Sequence, residues 1–570
     1  MQDDTKETKI AYFSMEIALA KDIPTYSGGL GVLAGDMMRS AADYSMPLVG
    51  ITLIYSGGYF YQLITAEGYQ VEKKFRWDFL DDFEELNDQV KIKIQDTEIS
   101  VRGWSYKIHG KTGHSIPVLL LDTNVPENEP WQRNLTSSLY DANRFTRIVQ
   151  EMILGIGGIR FLEQMGYDQI DTYHMNEGHS AFLIFELLEK YHDIDEVKKH
   201  CSFTTHTPVE AGLERFEYDL VHDVFRDRLP SDVENLAGQD SLNMTRLALN
   251  GSKYVNAVSR KHGEVSRRMF PGYDIDFITN GVHINYWMSP HIRKVLDQEF
   301  GASWHFDYTM LDRALELNGY DVLHAHEKAK EELLEYEKSH SWVLLDKGLL
   351  TVGTCRRFTE YKRPLLVFSD LERLEKISKD KVQYIFAGKS HPADDNAKEM
   401  IKTLYNYADE LWDSYEIRLA FMENYEIDLA RLMISGLDVL LNNPRRYNEA
   451  SGTSGMKAAL NGVLNCSVLD GWWIEGYERD PMAGWAIGPG PDDPGAEDGD
   501  DDADAASLYD VLENQILPIW LNKKDEWLER VKHAIKLGAF FNTDRMIEEY
   551  AEKAYLLKRR NPWAHPETLG

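Results

Sequence analysis

The hydrophobic and polar positions of the chain alternate between short apolar runs and amphipathic stretches, which predicts alternating strands and helices. An apolar run, KIAYFSME (9–16), is followed by the loop TYSGGLG (25–31), the amphipathic VLAGDMMRSAADYS (32–45) and the β-branched PLVGITLIY (47–55). This order predicts a βαβ unit in which a glycine loop joins a strand to a helix. Further strand ends are predicted at IDTYHMN (170–176), HCSFTTHTP (200–208) and KYVNAVS (253–259).

A second alternating series follows a charged helical stretch, HEKAKEELLEYEKSHS (326–341). Its predicted strands are GLLTVGTC (348–355), VQYIFAGK (382–389), IRLAFMEN (417–424), LDVLLNN (437–443) and VLNCSVLDG (463–471). The two series predict an α/β fold of two doubly wound, Rossmann-like domains that face each other across a deep cleft. Such folds bind ligands outside the carboxyl ends of their strands.

The expected domain boundaries follow the two series. Residues 1–320 form the first domain, 321–520 the second, and 521–570 a helical segment that packs back on the first domain. A chain of 570 residues is too long for one core. The stretch 488–506 is dense in Asp, Gly and Pro, which predicts a solvated loop. Trp520, Trp527 and Tyr550 are the predicted packing anchors of the helical tail.

The charge balance limits the classes of partner. Asp and Glu number 94 against 62 Lys and Arg, which gives a net charge of -32. This field repels nucleic acid and anionic membranes, so any anionic ligand needs local cations. The cysteines are too widely spaced for a disulfide framework or a thiolate zinc site, and neither a signal peptide nor a membrane-length apolar run is found in the sequence. These features predict a cytoplasmic protein.

Three histidines, His174, His179 and His206, are the candidate metal ligands of the sequence. Their spacing matches neither HExxH nor another carboxylate–histidine pattern, so no metal site is predicted. A single loop histidine such as His206 is more often structural, and Asn256 would more often be a capping residue.

Four cations cluster in TCRRFTEYKRPLL (354–366). Arg356 and Arg357 end a predicted strand, and Lys362 and Arg363 precede Pro364, which predicts the first turn of a helix. Cations there are disfavoured by about 0.3 to 1 kcal/mol each. The cluster therefore indicates a bound anion, with the planar guanidinium of Arg357 on phosphate oxygens and Lys362 as a point charge. The alternative, a surface cluster neutralised by acidic neighbours, stays open.

A lysine, Lys457, follows a run of small residues in NEASGTSGMKAALNG (448–462). The small residues from Ser451 to Gly455 allow backbone N–H groups to approach an anion at a helix start. The spacing is not that of a Walker A loop, because Met456 and Ala458 flank the lysine. Apolar neighbours desolvate the amine and lower its pKa, as a Schiff-base lysine requires. An exposed lysine on a short surface helix is the alternative.

Several motifs, kept in one order over about residues 10–480, resemble the α-glucan phosphorylases of the glycogen and maltodextrin phosphorylase family. They are GGLGVLAGD, NEGHSAF, TTHTPVEAGLERF, VNAVS, ITNGV, RRFTEYKR, ENYEIDLA and EASGTSGMK. The chain looks like a compact form without the N-terminal regulatory extension of the long members. A nucleotide-sugar glucosyltransferase of the starch-synthase type shares the GGL loop and a cation pair, and a catalytically inactive glucan-binding protein is the other alternative.

The resemblance implies a reaction and a GT-B type architecture. Inorganic phosphate cleaves an α-1,4-glucan to α-glucose 1-phosphate with retention, and the 5′-phosphate of pyridoxal phosphate, covalently bound to Lys457, acts as the proton shuttle. The implied catalytic residues are Arg357, Lys362, His206 and Glu449; the cofactor-binding residues are Lys457, Arg356, Lys362, Gly29, Thr453, Ser454 and Tyr425; and the substrate-binding residues are Gly28, Gly29, Leu30, Asn256, His206, Glu449, Ser451 and Gly452. A homo-oligomer is left open.

Three positions depart from the long members of that family. Thr359 stands where they have histidine, Glu426 where they have arginine, and Ser454–Gly455 where they have Gly-Asn. Each departure bears on phosphate affinity and control more than on the reaction itself.

Overall fold

The first of two large sheets is built around the N-terminal series. The computed structural model describes residues 4–74, 77, 83–493 and 495–557. Within them, the sheet order is β13-β12-β9-β8-β1-β2-β7-β6-β5, parallel from β13 to β7 and antiparallel at β6 and β5. The strands are β1 (Ile10–Ser14), β2 (Leu48–Leu53), β5 (Glu84–Ile94), β6 (Thr97–His109), β7 (Ser115–Asp122), β8 (Thr172–Asn176), β9 (Cys201–Thr204), β12 (Tyr254–Ala257) and β13 (Asp276–Phe277).

The second large sheet is parallel throughout, in the order β16-β15-β14-β17-β18-β19 among the described residues. Its strands are β14 (Leu350–Cys355), β15 (Val382–Ala387), β16 (Arg418–Met422), β17 (Val439–Asn442), β18 (Leu464–Val468) and β19 (Gly484–Ile487). Most strand residues are buried on both faces, because helices cover both sides of a parallel sheet. The predicted mixed α/β fold with two largely parallel sheets is confirmed.

Two small antiparallel pairs complete the strands of the described residues: β3 (Tyr61–Ile64) with β4 (Gln70–Lys73), and β10 (Arg215–Phe216) with β11 (Leu242–Asn243). The N-terminal helices are α1 (Asp4–Glu7), α2 (Gly29–Asp43), α3 (Pro130–Arg133), α4 (Arg144–Met152), α5 (Gly158–Gln164), α6 (Leu183–Tyr191), α7 (Ile194–His200), α8 (Tyr218–Phe225), α9 (Val233–Ala237), α10 (Met244–Asn250), α11 (Arg260–Met269), α12 (Ile284–Trp287) and α13 (Pro290–Phe300).

The later helices begin with the longest one, α14 (Gly319–His340). The others are α15 (Leu371–Ser378), α16 (Asp395–Tyr415), α17 (Ile427–Gly436), α18 (Thr453–Leu460), α19 (Trp472–Arg479), α20 (Asp501–Val511), α21 (Leu517–Asn522), α22 (Lys524–Lys536) and α23 (Thr543–Lys553). None of the helices in the described ranges is both long enough and apolar enough to cross a membrane.

The chain crosses between the two sheets at two adjacent places. Val282 N donates to Phe541 O at 3.2 Å, and Thr543 N donates to Val282 O at 3.1 Å. Residues 282–317 pack in the hydrophobic cluster of the second sheet, although the sequence analysis assigned them to the first domain. Residues 546–557 pack on the first sheet. We call residues 4–281 with 543–557 the first-sheet lobe, and residues 282–541 the second-sheet lobe.

The acidic stretch 488–506 was predicted to be a solvated loop, and that prediction is wrong for its second part. Helix α20 begins at Asp501, and Asp500 caps it by accepting from the amide of Asp502 at 2.9 Å. Asp504 is buried and accepts hydrogen bonds from Arg363 at 2.7 Å and from Arg446 at 2.8 Å. This carboxylate therefore neutralises two distant cations, which its local sequence does not reveal.

The predicted helix after Pro364 is also wrong at its start. Arg363 has a left-handed conformation with φ of 44°, only a short turn follows at Leu366–Phe368, and α15 begins later, at Leu371. Asp370 provides the actual cap, since it accepts from Arg373 N at 2.9 Å. The cation segment therefore lies at the carboxyl end of β14 and not in the first turn of a helix.

Candidate active site

A cavity of about 750 Å³ lies between the two lobes, at the carboxyl ends of strands from both sheets. Its volume is in the range of small-molecule sites. The predicted site residues that line it are Gly28, Gly29, Leu30, His206, Arg356, Arg357, Lys362, Tyr425, Glu449, Ser451, Gly452, Thr453, Ser454 and Lys457. The sequence-distant loops are thus brought together around one space, while Asn256 is not part of its lining.

Lys457 reaches the cavity from helix α18. The helix is held by Ala458, Ala459 and Leu460, all buried, and it ends before Gly462, whose φ of +77° stops the helix. The Lys457 side chain is 7% exposed, and its Nζ lies 4.0 Å from the ring centroid of Trp287. Burial lowers the pKa of this amine to about 8. No ion pair to Lys457 exists within the described part of the chain, so the amine is available for covalent chemistry.

Two helices begin at the cavity without a side-chain cap. Helix α18 follows Gly452, whose φ is +85°, and helix α2 follows Gly28. In the described structure, neither start has a side chain hydrogen-bonded to the first-turn amides. Free N–H groups and the positive end of the helix dipole favour an anion at such a position. Both starts therefore supply anion-binding backbone groups.

The cations at the end of β14 differ in their partners. Arg356 forms an ion pair with Glu449 and hydrogen-bonds the side-chain oxygen of Asn442. Lys362 Nζ is 3.4 Å from Glu449 Oε2. Arg357 has neither a hydrogen bond nor an ion pair among the described residues, and it is exposed at the cavity. An uncommitted guanidinium beside paired charges is the strongest candidate for a phosphate ligand.

The three charged groups beside Arg357 shift each other's pKa. Burial lowers the pKa of Lys362 to about 7, aided by the charge of Arg356 and opposed by Glu449. Burial alone would raise the pKa of the Glu449 carboxyl, but the charges of Arg356 and Lys362 hold it below its ordinary value. At neutral pH, Glu449 is ionised and Lys362 is near its midpoint.

His206 and Asn256 have different positions. His206 N donates to Glu177 Oε2 at 2.8 Å, and its Nε2 lies 2.7 Å from Asn176 Oδ1. Burial lowers the pKa of His206 to about 3, so a neutral imidazole faces the cavity. Asn256 lies behind that wall, 1% exposed, and its amide donates to the hydroxyl of Tyr550 at 3.0 Å. Its side chain is occupied by bonds to Tyr550, Thr204 and Ala257, which favours a structural role for this residue, although it does not cap a helix.

Several lining residues were missed by the sequence analysis. Glu16 accepts from Ser27 N at 2.6 Å and shapes the glycine loop, and Lys389 reaches the cavity from the loop after β15. Asn280 directs a buried side-chain oxygen, without a hydrogen bond in the described structure, to the same cavity. ITNGV contains Asn280, and Trp287 follows seven residues later, so the motif itself was a signal. Glu16 and Lys389 carry no such local signal.

The departures from the long members have local explanations in two cases. Glu426 Oε1 lies 3.3 Å from the ammonium of Lys389 and accepts from Asn424 Nδ2 at 2.9 Å, so this carboxylate is neutralised where it lines the cavity. Thr359 has a buried hydroxyl without a hydrogen-bond partner in the described residues. The glycine of the Ser454–Gly455 pair lies where a Cβ would come within 2.6 Å of Asn465 Oδ1. Nothing in the structure explains Ser454 beyond its place at the helix start.

Two groups of carboxylates and histidines have the spacing of metal ligands: Asp43 with His283 and Asp544, and Glu151 with His179 and Glu214. Each group already contains a cation. Lys111 Nζ is 3.4 Å from Asp43 and 3.2 Å from Asp544, and Arg147 Nε is 3.0 Å from Glu151. Ion pairing therefore accounts for both groups.

Comparison with known proteins gives one family. Residues 231–479 match the carbohydrate phosphorylase family. The chain is similar to a maltodextrin phosphorylase of Thermococcus litoralis, with 37% identity over 96% of this chain and 70% of that protein. It is similar to a glycogen phosphorylase of Aquifex aeolicus, with 35% identity over 97% and 87%. It also matches an uncharacterized protein of Methanocaldococcus jannaschii, with 34% identity over 96% and 99%.

Proposed function

The chain belongs to the carbohydrate phosphorylase family, and we propose that it cleaves α-1,4-glucans with inorganic phosphate and releases α-glucose 1-phosphate. The observation that carries the proposal is the meeting of three features in one cavity: the buried amine of Lys457, the uncommitted guanidinium of Arg357 and two uncapped helix starts. A phosphate-dependent enzyme that also uses a phosphorylated cofactor needs this combination.

The residues around Lys457 fit pyridoxal phosphate. Lys457 would hold it covalently, with the ring of Trp287 beside the amine, Tyr425 in the same cavity lining, and the amides of Thr453 and Ser454 for its phosphate. Gly29, at the start of α2, adds further amides. When bound, the cofactor supplies a phosphate group that donates and accepts a proton. The two terminal nitrogens of Arg356 are taken by Asn442 and Glu449, while its Nε is without a hydrogen-bond partner in the described residues.

The substrate phosphate is the second anion of the proposed site. Two phosphates close together repel each other strongly unless cations and amides surround them. Arg357 and protonated Lys362 would bind the substrate phosphate, and the amides of Gly29 and Leu30 would add neutral donors. Glu449 keeps Lys362 and Arg356 in place while leaving Arg357 uncompensated.

The sugar would lie against the first-sheet lobe. The neutral imidazole of His206 and the amide of Asn280 provide hydrogen-bonding groups that suit hydroxyls, and Glu449, Ser451 and Gly452 face them from the other lobe. Protonation of the glycosidic oxygen by phosphate, followed by phosphate attack on the same face, gives retention at an oxocarbenium-like centre. Asn256 contributes from behind by holding the wall.

We also propose that the two lobes are separate doubly wound domains facing across the cleft, the GT-B type architecture that the family implies. The boundaries that the packing supports are near residues 282 and 542, and not at 320 and 520. A cytoplasmic location and a homo-oligomer stay predictions.

The test is cofactor content and activity in wild type and in Lys457→Ala. The wild-type protein should carry one pyridoxal phosphate per chain, show the near-ultraviolet absorbance of the bound cofactor, and release glucose 1-phosphate from maltodextrin and phosphate. Lys457→Ala should lose both properties. Lys532→Ala is the matched control. Lys532 is a buried lysine on α22 whose Nζ donates to Leu315 O, and it lies outside the cavity lining.

Two results would contradict the proposal. One is a wild-type protein that neither contains nor takes up the cofactor. The other is glucose transfer from ADP-glucose without any dependence on phosphate, which would favour the glucosyltransferase alternative.

A further inference from the structure

The β3–β4 hairpin belongs to the first-sheet lobe by sequence, but its glutamines bond the second-sheet lobe. Gln62 is 0% and Gln70 is 6% exposed. Gln62 Nε2 donates to Gly388 O at 2.9 Å, and Gln62 Oε1 accepts from Asn424 N at 2.7 Å. Gln70 Nε2 donates to Ser390 O and Gln70 Oε1 accepts from Ser390 N, both at 3.0 Å. The hairpin therefore grips the loops that follow β15 and β16.

The two glutamine amides also bond each other, which fixes their orientation. Gln62 Nε2 donates to Gln70 Oε1 at 2.8 Å, and Gln70 Nε2 donates to Glu72 Oε1 at 2.7 Å. All four amide hydrogens and both amide oxygens thus have partners. A side chain without an amide would leave buried backbone groups of the gripped loops unpaired, which is costly.

The gripped loop after β15 carries a cation into the cavity. Lys389 lies between Gly388 and Ser390, the two residues held by the glutamines. Its Nζ donates to Phe60 O at 3.1 Å, directly before β3. The hairpin therefore holds Lys389 through its neighbouring backbone and through its ammonium group.

The same loop supports the segment that carries Arg357. Phe358 N donates to Lys389 O at 2.9 Å, and Phe358 pairs with Ser390 in a short parallel bridge. A Cβ on Gly388 would lie 2.1 Å from Arg356 O, so the two loops are in direct backbone contact. Because the Arg357 side chain has no bond of its own in the described residues, its position depends on this backbone support.

We propose that Gln62 and Gln70 are positioning residues for the substrate phosphate. They act from the opposite lobe through the loop 388–390, which holds Arg357 and Lys389 at the cavity. The proposal rests on the proposed function, because it concerns the phosphate subsite of that reaction. It assigns to the hairpin an effect on phosphate that is separable from glucan binding, since the sugar-facing residue His206 has other supports.

The test compares Gln62→Met and Gln70→Met with the wild-type holoenzyme. Each substitution keeps the side-chain length and removes the amide. The KM for phosphate is expected to rise about tenfold, because displaced cations lose charge-assisted hydrogen bonds, while the KM for maltodextrin stays within about twofold. Titration calorimetry with inorganic phosphate should show the same loss of affinity without turnover.

A milder variant and a matched control separate positioning from stability. Glu72→Ala removes the outer acceptor of Gln70 and the partner of Lys398 on the surface, and should raise the phosphate KM two- to threefold. Gln383→Met removes another buried amide, which donates to Asp346 O at 2.8 Å and Thr351 Oγ1 at 2.9 Å. It should lower the unfolding midpoint and leave the phosphate KM unchanged.

The outcomes distinguish this inference from the proposed function. If the wild type releases glucose 1-phosphate but the hairpin variants change the phosphate KM no more than Gln383→Met does, the positioning role is wrong. Equal rises in the KM for phosphate and for maltodextrin also overturn it. If the wild type releases no glucose 1-phosphate, the proposed function fails, and calorimetry still decides the inference: unaltered phosphate affinity in the variants refutes it.

Discussion

Arg357 differs from the other cations of its segment because it is the one left without a partner in the described structure. Arg356 and Lys362 share Glu449, and Arg363 is bound by Asp504. The cluster is recognisable in the sequence but this division is not, because the neutralising carboxylates lie roughly 90 and 140 positions further along the chain. Of the two alternatives for this cluster, a bound anion suits Arg357, and neutralisation by acidic neighbours describes Arg363.

The first prediction concerns Arg357. Arg357→Ala should lower kcat/KM for phosphate about 10- to 100-fold, because a charge-assisted hydrogen bond contributes about 1.5 to 3 kcal/mol. Arg357→Lys should recover part of the loss, since it restores the charge but not the fork. Steady-state kinetics at varied phosphate measure both. Arg445→Ala, at an exposed arginine paired with Asp501, is the control. A wild-type phosphate dependence in Arg357→Ala would remove this residue from the site.

The second prediction is a pH dependence at Lys362. Its pKa of about 7 means that the ammonium loses its proton as the pH rises through that value. Phosphate affinity should therefore fall from pH 6.5 to 8.5 in the wild type, and fall less in Lys362→Arg, whose guanidinium stays charged. The comparison cancels the ionisation of phosphate itself. Parallel profiles for both proteins would show that Lys362 does not titrate in this range.

Lys362 affects stability and phosphate binding in opposite directions as the pH rises. The folded pKa of Lys362 is below the unfolded value of about 10.4. The unfolded chain therefore binds more protons between about pH 7 and 10, and this residue makes the free energy of unfolding rise with pH across that window. Protonated Lys362, the form that would bind phosphate, therefore lowers the free energy of unfolding below pH 7.

At the scale of elements, helix α18 is placed by a glycine that has no room for a Cβ unless its neighbours shift. A Cβ on Gly455 would lie 2.6 Å from Asn465 Oδ1 and 2.7 Å from Trp472 Nε1. The start of the helix is therefore pressed against α19, and this sets the depth of Lys457. The helix and its stop at Gly462 were predictable from local sequence, but this close approach was not.

The third prediction follows from that contact. Gly455→Ala should displace the start of α18, lower the free energy of unfolding by about 1 to 3 kcal/mol, and reduce retention of pyridoxal phosphate about tenfold. Cofactor content after dialysis measures the second effect. Ala458→Gly is the control, because it weakens the same helix by about 1 kcal/mol without adding an atom. Equal cofactor retention in the two variants would contradict the prediction.

The long helix α14 is joined to the second sheet by a buried ion pair. Lys330 Nζ is 2.6 Å from Asp438 Oδ2, and His326 Nε2 is 2.9 Å from Asp438 Oδ1. Asp438 Oδ2 also accepts from Thr351 N at 2.7 Å, at the start of β14. The charged stretch 326–341 predicted a helix, but not that Lys330 would be buried.

The fourth prediction is that Asp438→Asn lowers the free energy of unfolding by about 3 to 5 kcal/mol, since it leaves the Lys330 charge buried without a counter-charge. Urea unfolding at pH 7 measures the loss. A second change, Lys330→Met, should restore part of it. Single and double variants of equal stability would show that the pair is not coupled.

The stability that Asp438 contributes depends on pH in the way expected of a paired carboxylate. Burial would raise the pKa of Asp438, but Lys330 and His326 hold it below its ordinary value. Its contribution is therefore fully present above about pH 4 and is lost as the pH falls through the folded pKa. Wild type and Asp438→Asn should converge in stability at strongly acidic pH.

Strands buried on both faces were the most predictable elements, since apolar runs such as IAYFS and LTVGTC have few other stable positions. The β3–β4 hairpin and β19 were not predicted. Each strand is four residues long, and the hairpin carries polar residues such as Gln62 and Gln70 at buried positions. Their burial depends on partners in the other lobe, which local patterns do not contain.

For the whole molecule, the limits of the lobes depend on contacts between distant segments. The expected boundary at 320 followed the charged helix, yet α12 and α13 already pack with the second sheet. Trp527 is buried in the second-sheet lobe and Tyr550 in the first-sheet lobe, so these two predicted anchors are core residues of different lobes. The third, Trp520, is half-buried against the second-sheet cluster. The pairing of Val282 with Asn542 marks where the chain passes between the two lobes.

The fifth prediction concerns this return of the chain. The Tyr550 hydroxyl bonds Thr204 and Asn256, and its ring is 3% exposed. Tyr550→Ala should destabilise the first-sheet lobe by about 3 to 5 kcal/mol, and hydrogen exchange should accelerate in β8, β9 and β12 but not in β14 to β18. Tyr550→Phe should give a smaller effect in the same strands. Uniform acceleration in both sheets would contradict a lobe-specific role.

The paired crossings at Val282 and Asn542 give the molecule a pivot. By the lobe limits given above, the chain passes between the lobes only at these adjacent positions of the described residues, so widening the cleft would be mainly a rotation there. The glutamines of the hairpin must release their loops during such a swing. Admission of a polymer and capture of phosphate would then be coupled, because the hairpin bonds that connect the two lobes are also the bonds that align the cations.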